Sequence, residues 1–289
     1  MDLRIPIKKV PEQLFHYCPS EAFFGIIKSQ KLWLSSSNYS HDPNENKIVK
    51  QILSKRMESE KGEFKDFIGK IIENYNMYEE SIPPFIFCFS EEKDDLFQWR
   101  YYANDGKGFM IGFKTKYLPV HSIWNYILSK PDANSPKFDD FFIGNVIYET
   151  LEQENFINRM FDMTKLAFKV MREDQIIFFA RKLYMISSLF KNHHYINEKE
   201  WRLIQYPVLK PKSRLDTNFS YRATSNAIIP YNQLGIEQDE TNKDLPIGSV
   251  LIGPCNKSSK KEIDNFGYFH YQYWRFNSTQ HSEINYLGR

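Results

Sequence analysis

The stretch that most constrains the fold of this chain is residues 84–113, which read as a strand, a short helix and a returning strand. Residues 85–89 are a short run of apolar and mostly aromatic side chains, which is typical of a strand buried on both faces. Two aspartates at 94–95 stand where a helix N-terminus favours negative charge, and residues 104–106 carry the Asn-Asp-Gly chemistry of a turn. Residues 108–113 follow as a second short strand that contains glycines. The sequence therefore predicts a small unit of sheet and helix that could carry a site.

Three polar residues, Ser90, Gln98 and Arg100, lie where these elements meet. Functional residues are often carried on connections that a rigid scaffold holds in place, so we expect a site at this junction. Two simpler interpretations stay open. Ser90 could cap the following helix, and Arg100 could pair with one of the aspartates between residues 94 and 105.

The rest of the chain mixes short strand candidates with helical segments and shows no repeat and no linker. Residues 14–18 and 32–35 are strand candidates near the N-terminus. Apolar residues at helical spacing predict helical insertions at about 44–80 and 151–195. Together these patterns predict one α+β domain over residues 1–289.

The longest helical pattern, residues 152–190, carries an apolar stripe that includes Met163, Leu166 and Val170. Core packing is what such a stripe normally serves, so we expect these side chains to be buried rather than to contact a cofactor. Residues 117–135 show no regular pattern and are expected to be irregular.

Composition limits the classes of function. The 289 residues are 42% hydrophobic, which supports a packed core and argues against disorder. The net charge of +2 is too small to indicate attraction to nucleic acid or membrane, and basic clusters at 210–214 and 257–261 read as solvated loops. Three distant cysteines fit a reducing compartment, and no signal core or stretch of about 20 apolar residues is present. The sequence thus predicts a soluble cytoplasmic protein with no membrane partner.

An acidic motif near residue 200 is the strongest chemical signal. Glu198, Glu200 and Arg202 alternate along a strand candidate, which predicts that they share one face. Neighbouring carboxylates raise the pKa of one member, which suits acid, base or cation-stabilising roles. The alternative is a surface face on which Arg202 forms an ion pair with one of the glutamates.

His16 lies between two aromatic residues, Phe15 and Tyr17. An isolated histidine in such a place is more often a hydrogen-bonded structural residue, and the alternative is that it holds a hydroxyl of a ligand. His193 and His194 are adjacent rather than four residues apart, so the zinc-binding helix pattern is absent. No metal site is expected.

Several motifs occur in a familiar order along the chain. They are Phe15-His16-Tyr17, Leu32-Trp33-Leu34-Ser35, His41-Asp42-Pro43-Asn44-Glu45, Phe87-Cys88-Phe89-Ser90, Gln98-Trp99-Arg100-Tyr101-Tyr102, Gly106-Lys107-Gly108, Glu198-Lys199-Glu200-Trp201-Arg202 and Ile252-Gly253-Pro254. This order resembles a bacterial family known as domain of unknown function 2971, from about Leu14 to the C-terminus. His41 departs from the family pattern, in which asparagine precedes Asp-Pro.

The layout of that family is similar to that of ADP-ribosyltransferases. The resemblance implies a split, mixed and antiparallel sheet core with inserted helical segments. It also implies NAD as a substrate, with no metal. By the same similarity the catalytic residues are Glu200, His16, Ser90 (or, as alternatives to it, Tyr101 or Tyr102) and Glu198, and the residues that contact NAD are Tyr17, Phe89, Gln98, Arg100 and Tyr101.

In this interpretation Glu200 stabilises the positive charge that develops on the ribose of NAD, supported by Ser90. His16 orients a ribose hydroxyl and Glu198 positions a protein or nucleic-acid acceptor. The family context implies a toxin or phage-defence effector with an antitoxin or effector partner. One alternative is an inactive nucleotide- or protein-binding module of the same fold, and another is a metal-dependent nuclease that uses Glu91 and Lys93.

Overall fold

The computed structural model describes residues 7–40, 47–80, 83–129, 134–207, 219–224, 227–235, 246–270, 276 and 279–288. The motif that begins at His41 and the basic cluster at 210–214 lie outside these residues.

Strands and helices are mixed along the chain. The strands are β1 (Gln13–Cys18), β2 (Lys31–Ser36), β3 (Phe85–Ser90), β4 (Phe109–Lys114), β5 (His121–Ser122), β6 (Phe141–Asn145), β7 (Glu200–Gln205), β8 (Ser220–Ala223), β9 (Ile228–Gly235), β10 (Ile247–Ile252) and β11 (Thr279–His281). The helices are α1 (Ser20–Ser29), α2 (Ile48–Ser59), α3 (Gly62–Glu79), α4 (Leu96–Tyr102), α5 (Ile123–Leu128), α6 (Thr150–Thr164), α7 (Glu173–Ser187) and α8 (Lys260–His270).

The predicted α+β class is confirmed. The strands of the described residues form one open, mixed sheet, in which most neighbours are antiparallel and the pairs β5–β6 and β10–β11 are parallel. The main path runs β11-β10-β4-β1-β3-β2-β9-β8, and β7 joins it beside β3. β3 lies inside the sheet and is covered on both faces. Its phenylalanines pack into one apolar layer, and Ile86 packs against the helical layer on the other face.

Among the described strands, β3 has three neighbours, because two strands share one of its edges. Along one edge it pairs with β7 over its whole length. On the other edge Phe85 and Ile86 pair with β2, and Ser90 pairs with Phe15 of β1. Within the described chain, residues 87–89 therefore have a strand partner only on the β7 side. We call the opening between β1 and β2 beside these three residues the β1–β2 gap.

The predicted helical insertions correspond to two helix pairs, α2–α3 and α6–α7, which pack together in one apolar cluster with β6 and β7 residues. The predicted core stripe is wrong at its end. Met163, Leu166 and Val170 are 55%, 94% and 79% exposed. α6 ends at Thr164, so the helical period does not continue through this segment.

The segment expected to be irregular contains a short buried helix, α5. Ile123 and Trp124 are buried, and the Ser122 hydroxyl caps the helix by accepting from the Asn125 backbone N–H at 3.3 Å. Six residues are too few for a helical period to be visible in the sequence. Of the helices in the described residues, none combines the length and the apolar character needed to cross a membrane.

The C-terminal residues are tied to the start of α4. β11 pairs with β10, and the Ser282 hydroxyl donates to Asp94 Oδ1 at 2.7 Å. Asp94 Oδ1 also accepts from Trp99 Nε1 at 2.6 Å. Asp94 therefore links α4, the helix that carries Gln98, to the segment that follows β11.

Candidate functional site

A cavity of about 370 Å³ opens at the β1–β2 gap. This volume lies in the range of roughly 300–1,000 Å³ that ligand pockets usually have. Across β3 and β7, Ser90 is opposite Glu200 and Cys88 is opposite Arg202. Directly opposed residues point to the same face of a sheet, and all four line the cavity.

Seven of the nine predicted site residues line this cavity. They are Glu200, Glu198, His16, Ser90, Tyr17, Phe89 and Gln98. The structure thus brings together side chains from β1, β3, α4 and β7 that are far apart along the chain. Tyr102, the alternative to Ser90, also lines the cavity.

Arg100 and Tyr101 lie outside this cavity, so their predicted place in the site requires correction. α4 buries Gln98 and Trp99, whereas the next two residues are exposed. Arg100 Nε lies 3.8 Å from Asp105 Oδ1, which is the ion-pair alternative. Tyr101 is 69% exposed and packs against the ring of Phe97.

Glu200 lies at the start of β7 in a buried ion-pair network. Its carboxylate accepts from Arg202 Nε at 3.0 Å and from Arg202 Nη2 at 2.9 Å, a bidentate arrangement that fixes the plane of both groups. The side chain of Glu200 is 5% exposed and that of Arg202 is 2% exposed. The backbone N–H of Glu200 donates to the Tyr148 hydroxyl at 2.9 Å. The ion pair predicted as an alternative is present, but it is buried and lines a cavity rather than a solvated surface.

Lys191 links the two glutamates and was missed in the sequence. Its Nζ donates to Glu200 Oε2 at 3.0 Å and also to Glu198 Oε2. The Tyr102 hydroxyl donates to the other oxygen of Glu198. Lys191 follows α7 in a segment without strand or helix pattern, so no spacing rule relates it to the acidic motif.

The surroundings of the two glutamates move their pKa values in opposite directions. Burial and then the negative charge of Glu200 raise the pKa of Glu198, against the opposing effect of Lys191. Burial also acts to raise the pKa of Glu200, but the charges of Arg202 and Lys191 and its hydrogen bonds outweigh it, and this pKa is lowered. Near neutral pH Glu200 is a carboxylate, and Glu198 is the first of the two to take up a proton. Such separated pairs suit acid–base chemistry.

A left-handed turn separates the two glutamates. Glu198 ends a 3₁₀ helix, His193–Glu198, and Lys199 has a φ of 44°, which is uncommon for a residue other than glycine. The prediction that Glu198 shares the strand of Glu200 and Arg202 is therefore wrong, because β7 begins at Glu200. Such conformations cost on the order of 1–3 kcal/mol and persist where the surroundings hold them.

Ser90 and Gln98 hold this turn in place. Ser90 Oγ and Gln98 Nε2 each donate to the carbonyl oxygen of Glu198 at 2.9 Å. The Glu91 backbone N–H donates to the carbonyl oxygen of Lys199 at 3.1 Å. Ser90 was predicted to support Glu200, and the contact that the structure gives it is with the backbone just before Glu200.

His16 reaches into the β1–β2 gap. Its Nδ1 lies 2.8 Å from the carbonyl oxygen of Cys88, and its ring stacks on Phe87 with 4.1 Å between centroids. A carbonyl oxygen only accepts hydrogen bonds, so Nδ1 carries a proton. Burial lowers the pKa of His16 to about 4, although the bond to Cys88 opposes this. At neutral pH the ring is therefore uncharged, and Nε2 is an acceptor that suits a ligand hydroxyl.

The residues considered for a nuclease have other contacts. Glu91 Oε1 accepts from Lys8 Nζ at 2.8 Å and from Trp201 Nε1 at 2.7 Å. In the described parts of the chain, no group of three or more His, Cys, Asp or Glu side chains is arranged to hold a metal ion.

Comparison with known proteins connects part of the chain to one family. Residues 98–203 match the model of a family described as a protein of unknown function, DUF2971, which confirms the predicted resemblance over these residues. The matched part contains Gln98, Lys191, Glu198, Glu200 and Arg202, and ends before β8. The comparisons with curated proteins and with solved structures gave no match.

Proposed function

We propose that this protein is an NAD-dependent enzyme of the ADP-ribosyltransferase type that cleaves the bond between nicotinamide and ribose. The observation that carries the proposal is the convergence of His16, Ser90 and Glu200 on one cavity at a split in the sheet. A surface ion-pair face would leave Glu200 in solvent, whereas its side chain is 5% exposed.

The proposed step places positive charge where the carboxylate lies. Nicotinamide leaves with the electron pair of the broken C–N bond, and the ribose carbon becomes cationic. Glu200, held ionised by Arg202 and Lys191, would stabilise this charge electrostatically. The same two cations offset part of its negative charge, so their main benefit is a fixed position for the carboxylate.

The neighbouring residues have complementary roles in this proposal. His16 Nε2 accepts a hydrogen bond from a ribose hydroxyl and orients the sugar. Glu198, whose pKa is raised, takes the proton of the acceptor hydroxyl as the new bond to ribose forms. The acceptor is a protein, a nucleic acid or water, and the toxin or phage-defence setting with an antitoxin or effector partner stays an expectation.

Release of nicotinamide from NAD tests this proposal. Glu200→Gln should reduce the rate by at least about 100-fold, as loss of one preorganised electrostatic group typically does. The control is Glu154→Gln, a partly exposed glutamate in a surface pair with Lys55. Circular dichroism should verify folding, and His16→Gln, which leaves the ion pairs intact, should also slow release. A wild-type protein that neither binds nor cleaves NAD would refute the proposal.

A second candidate is a catalytically inactive nucleotide-binding module of the same fold. The observation that favours it is the bidentate pair with Arg202, which occupies both carboxylate oxygens of Glu200. This candidate predicts that NAD binds without turnover, and that Glu200→Gln leaves its affinity within about threefold of the wild type.

A further inference from the structure

The part of the cavity wall formed by β2 and β8 has a chemistry that the acidic motif does not explain. Ser35, Ser36 and Ser37 line the cavity there, as does Arg222 of β8. Arg222 pairs with Ile229 of β9, and Tyr231 of β9 pairs with Ser35, so Arg222 and Ser35 share one face. The Arg222 Nη2 donates to Ser35 Oγ at 2.8 Å.

Several polar atoms on this wall are buried and unpaired in the described part of the chain. The hydroxyls of Ser36 and Ser37 and Nε of Arg222 have no hydrogen-bond partner there. Ser36 is 2% exposed and Ser37 is 7% exposed. An unpaired buried hydroxyl destabilises the free protein, and a ligand that bonds to it would recover that free energy.

Arg222 also lacks a described counter-charge. No ion pair joins it to a carboxylate among the residues that the structure describes, and burial lowers its pKa against the effect of Tyr231. By contrast, Glu198 and Glu200 are matched by Lys191 and Arg202. The cavity thus has one balanced region and one region with a cation that favours an anion.

We propose that Arg222, Ser35 and Ser37 form a subsite for the pyrophosphate group of a dinucleotide bound in this cavity. The inference rests on the proposed use of NAD. Arginine and hydroxyl donors suit phosphate oxygens, because hydrogen bonds to an anionic oxygen are charge-assisted and roughly twice as strong as neutral ones.

The separation of the two regions fits such a ligand. Ser35 of β2 and Glu200 of β7 are two strands apart across β3 and four residues apart along it, because they pair with Ile86 and Ser90. Two strand spacings and four residues correspond to about 16 Å between backbone positions. A ligand that reaches both walls must be longer than a nucleoside, which favours a dinucleotide.

Calorimetric titration of three probes tests the subsite: NAD, inorganic pyrophosphate and nicotinamide riboside, which lacks phosphate. Arg222→Gln should weaken binding of NAD and pyrophosphate by about 10-fold to 100-fold and leave nicotinamide riboside unaffected. The matched control is Arg159→Gln, an exposed arginine of α6. Ser37→Ala should weaken NAD binding while leaving the free protein at least as stable, because its hydroxyl has no partner among the described residues to lose.

The outcomes separate the two proposals. NAD cleavage that Arg222→Gln does not alter, together with unchanged NAD affinity, would overturn the subsite and leave the proposed function standing. Pyrophosphate binding that is lost in Arg222→Gln, in a protein that does not cleave NAD, would support an anion subsite and remove the proposed function. Binding of single-stranded DNA but not pyrophosphate, lost in Arg222→Gln, would overturn the assignment to a dinucleotide.

Discussion

Replacing Lys191 by methionine should destabilise the protein strongly at neutral pH and less in mild acid. The Lys191 side chain is 7% exposed, and its ammonium group is the cation that both glutamates contact. Removing one partner of a buried ion pair costs about 3–5 kcal/mol. Here the two carboxylates are left facing each other, and the variant relieves the repulsion by protonating Glu198, whose pKa is already raised.

The sign of the pH effect follows from that proton. An acid whose folded pKa is raised binds a proton in the folded state that it lacks when unfolded, so stability falls as pH rises toward the folded pKa. Each pH unit corresponds to about 1.36 kcal/mol, so the deficit of the variant should shrink by up to about 3 kcal/mol between pH 7.5 and 5.5. Both pH values lie above the ordinary glutamate pKa of 4.5, so Glu200 is ionised at each of them.

Urea unfolding at these two pH values measures the effect, as the difference between variant and wild type. The control is Lys55→Met, which removes a 71%-exposed lysine from a surface pair and should cost no more than about 1 kcal/mol at either pH. A Lys191→Met deficit below about 1 kcal/mol, or one that is equal at both pH values, would refute the coupling of the two glutamates through Lys191.

Two further predictions concern packing and the histidine. Gly108→Ala should destabilise by at least about 1–3 kcal/mol, because its Cβ would lie 2.1 Å from the carbonyl oxygen of Cys18. Gly69→Ala in α3 should stabilise by about 0.5–1 kcal/mol, because alanine favours a helix over glycine and no atom of the described residues lies within 4 Å of the added Cβ. Chemical denaturation compares the two, and similar effects would contradict the packing around β4. The imidazole of His16 should titrate near pH 4 by NMR rather than near 6.5. Because the pKa of His16 is lowered in the folded state, its contribution to the free energy of unfolding is fully present above pH 6.5. That contribution falls by up to about 3 kcal/mol as pH decreases toward 4, and His16→Gln should remove this pH dependence. Titration near pH 6.5 would show that the ring is solvated.

The sequence predicted β3, α4 and β4 well because each carries a strong local signal. Phe85–Ser90 is an apolar run of strand length, and the Asp95 carboxylate caps α4 by accepting from the Gln98 backbone N–H at 2.9 Å. Local sequence patterns did not predict the end of α6 or the presence of α5, because tertiary packing determines both. The apolar stripe of α6 was extended past Thr164, and the six residues of α5 are buried without showing a period.

The site was predicted in part for the same reason. Glu200 and Ser90 are marked by their positions at strand ends, and their approach to His16 could be inferred only from the resemblance to a family. Lys191 and Arg222 carry no local pattern. Their contacts depend on which strands become neighbours, and a single sequence does not determine strand order. The left-handed turn at Lys199 could not be predicted either, because no glycine occupies that position.

The strand paired with one edge of β3 changes from β2 to β1 partway along that edge. The entrance to the cavity is therefore created by the strand pairing of the sheet. A molecule can enter without displacing a strand. The wall formed by α1, which connects β1 to β2 and contributes Ala22 and Ile26, is separate from β7, which carries Glu200. Changes in this connection can therefore alter which molecules the cavity admits, while the Glu200–Arg202 pair on β7 keeps its arrangement.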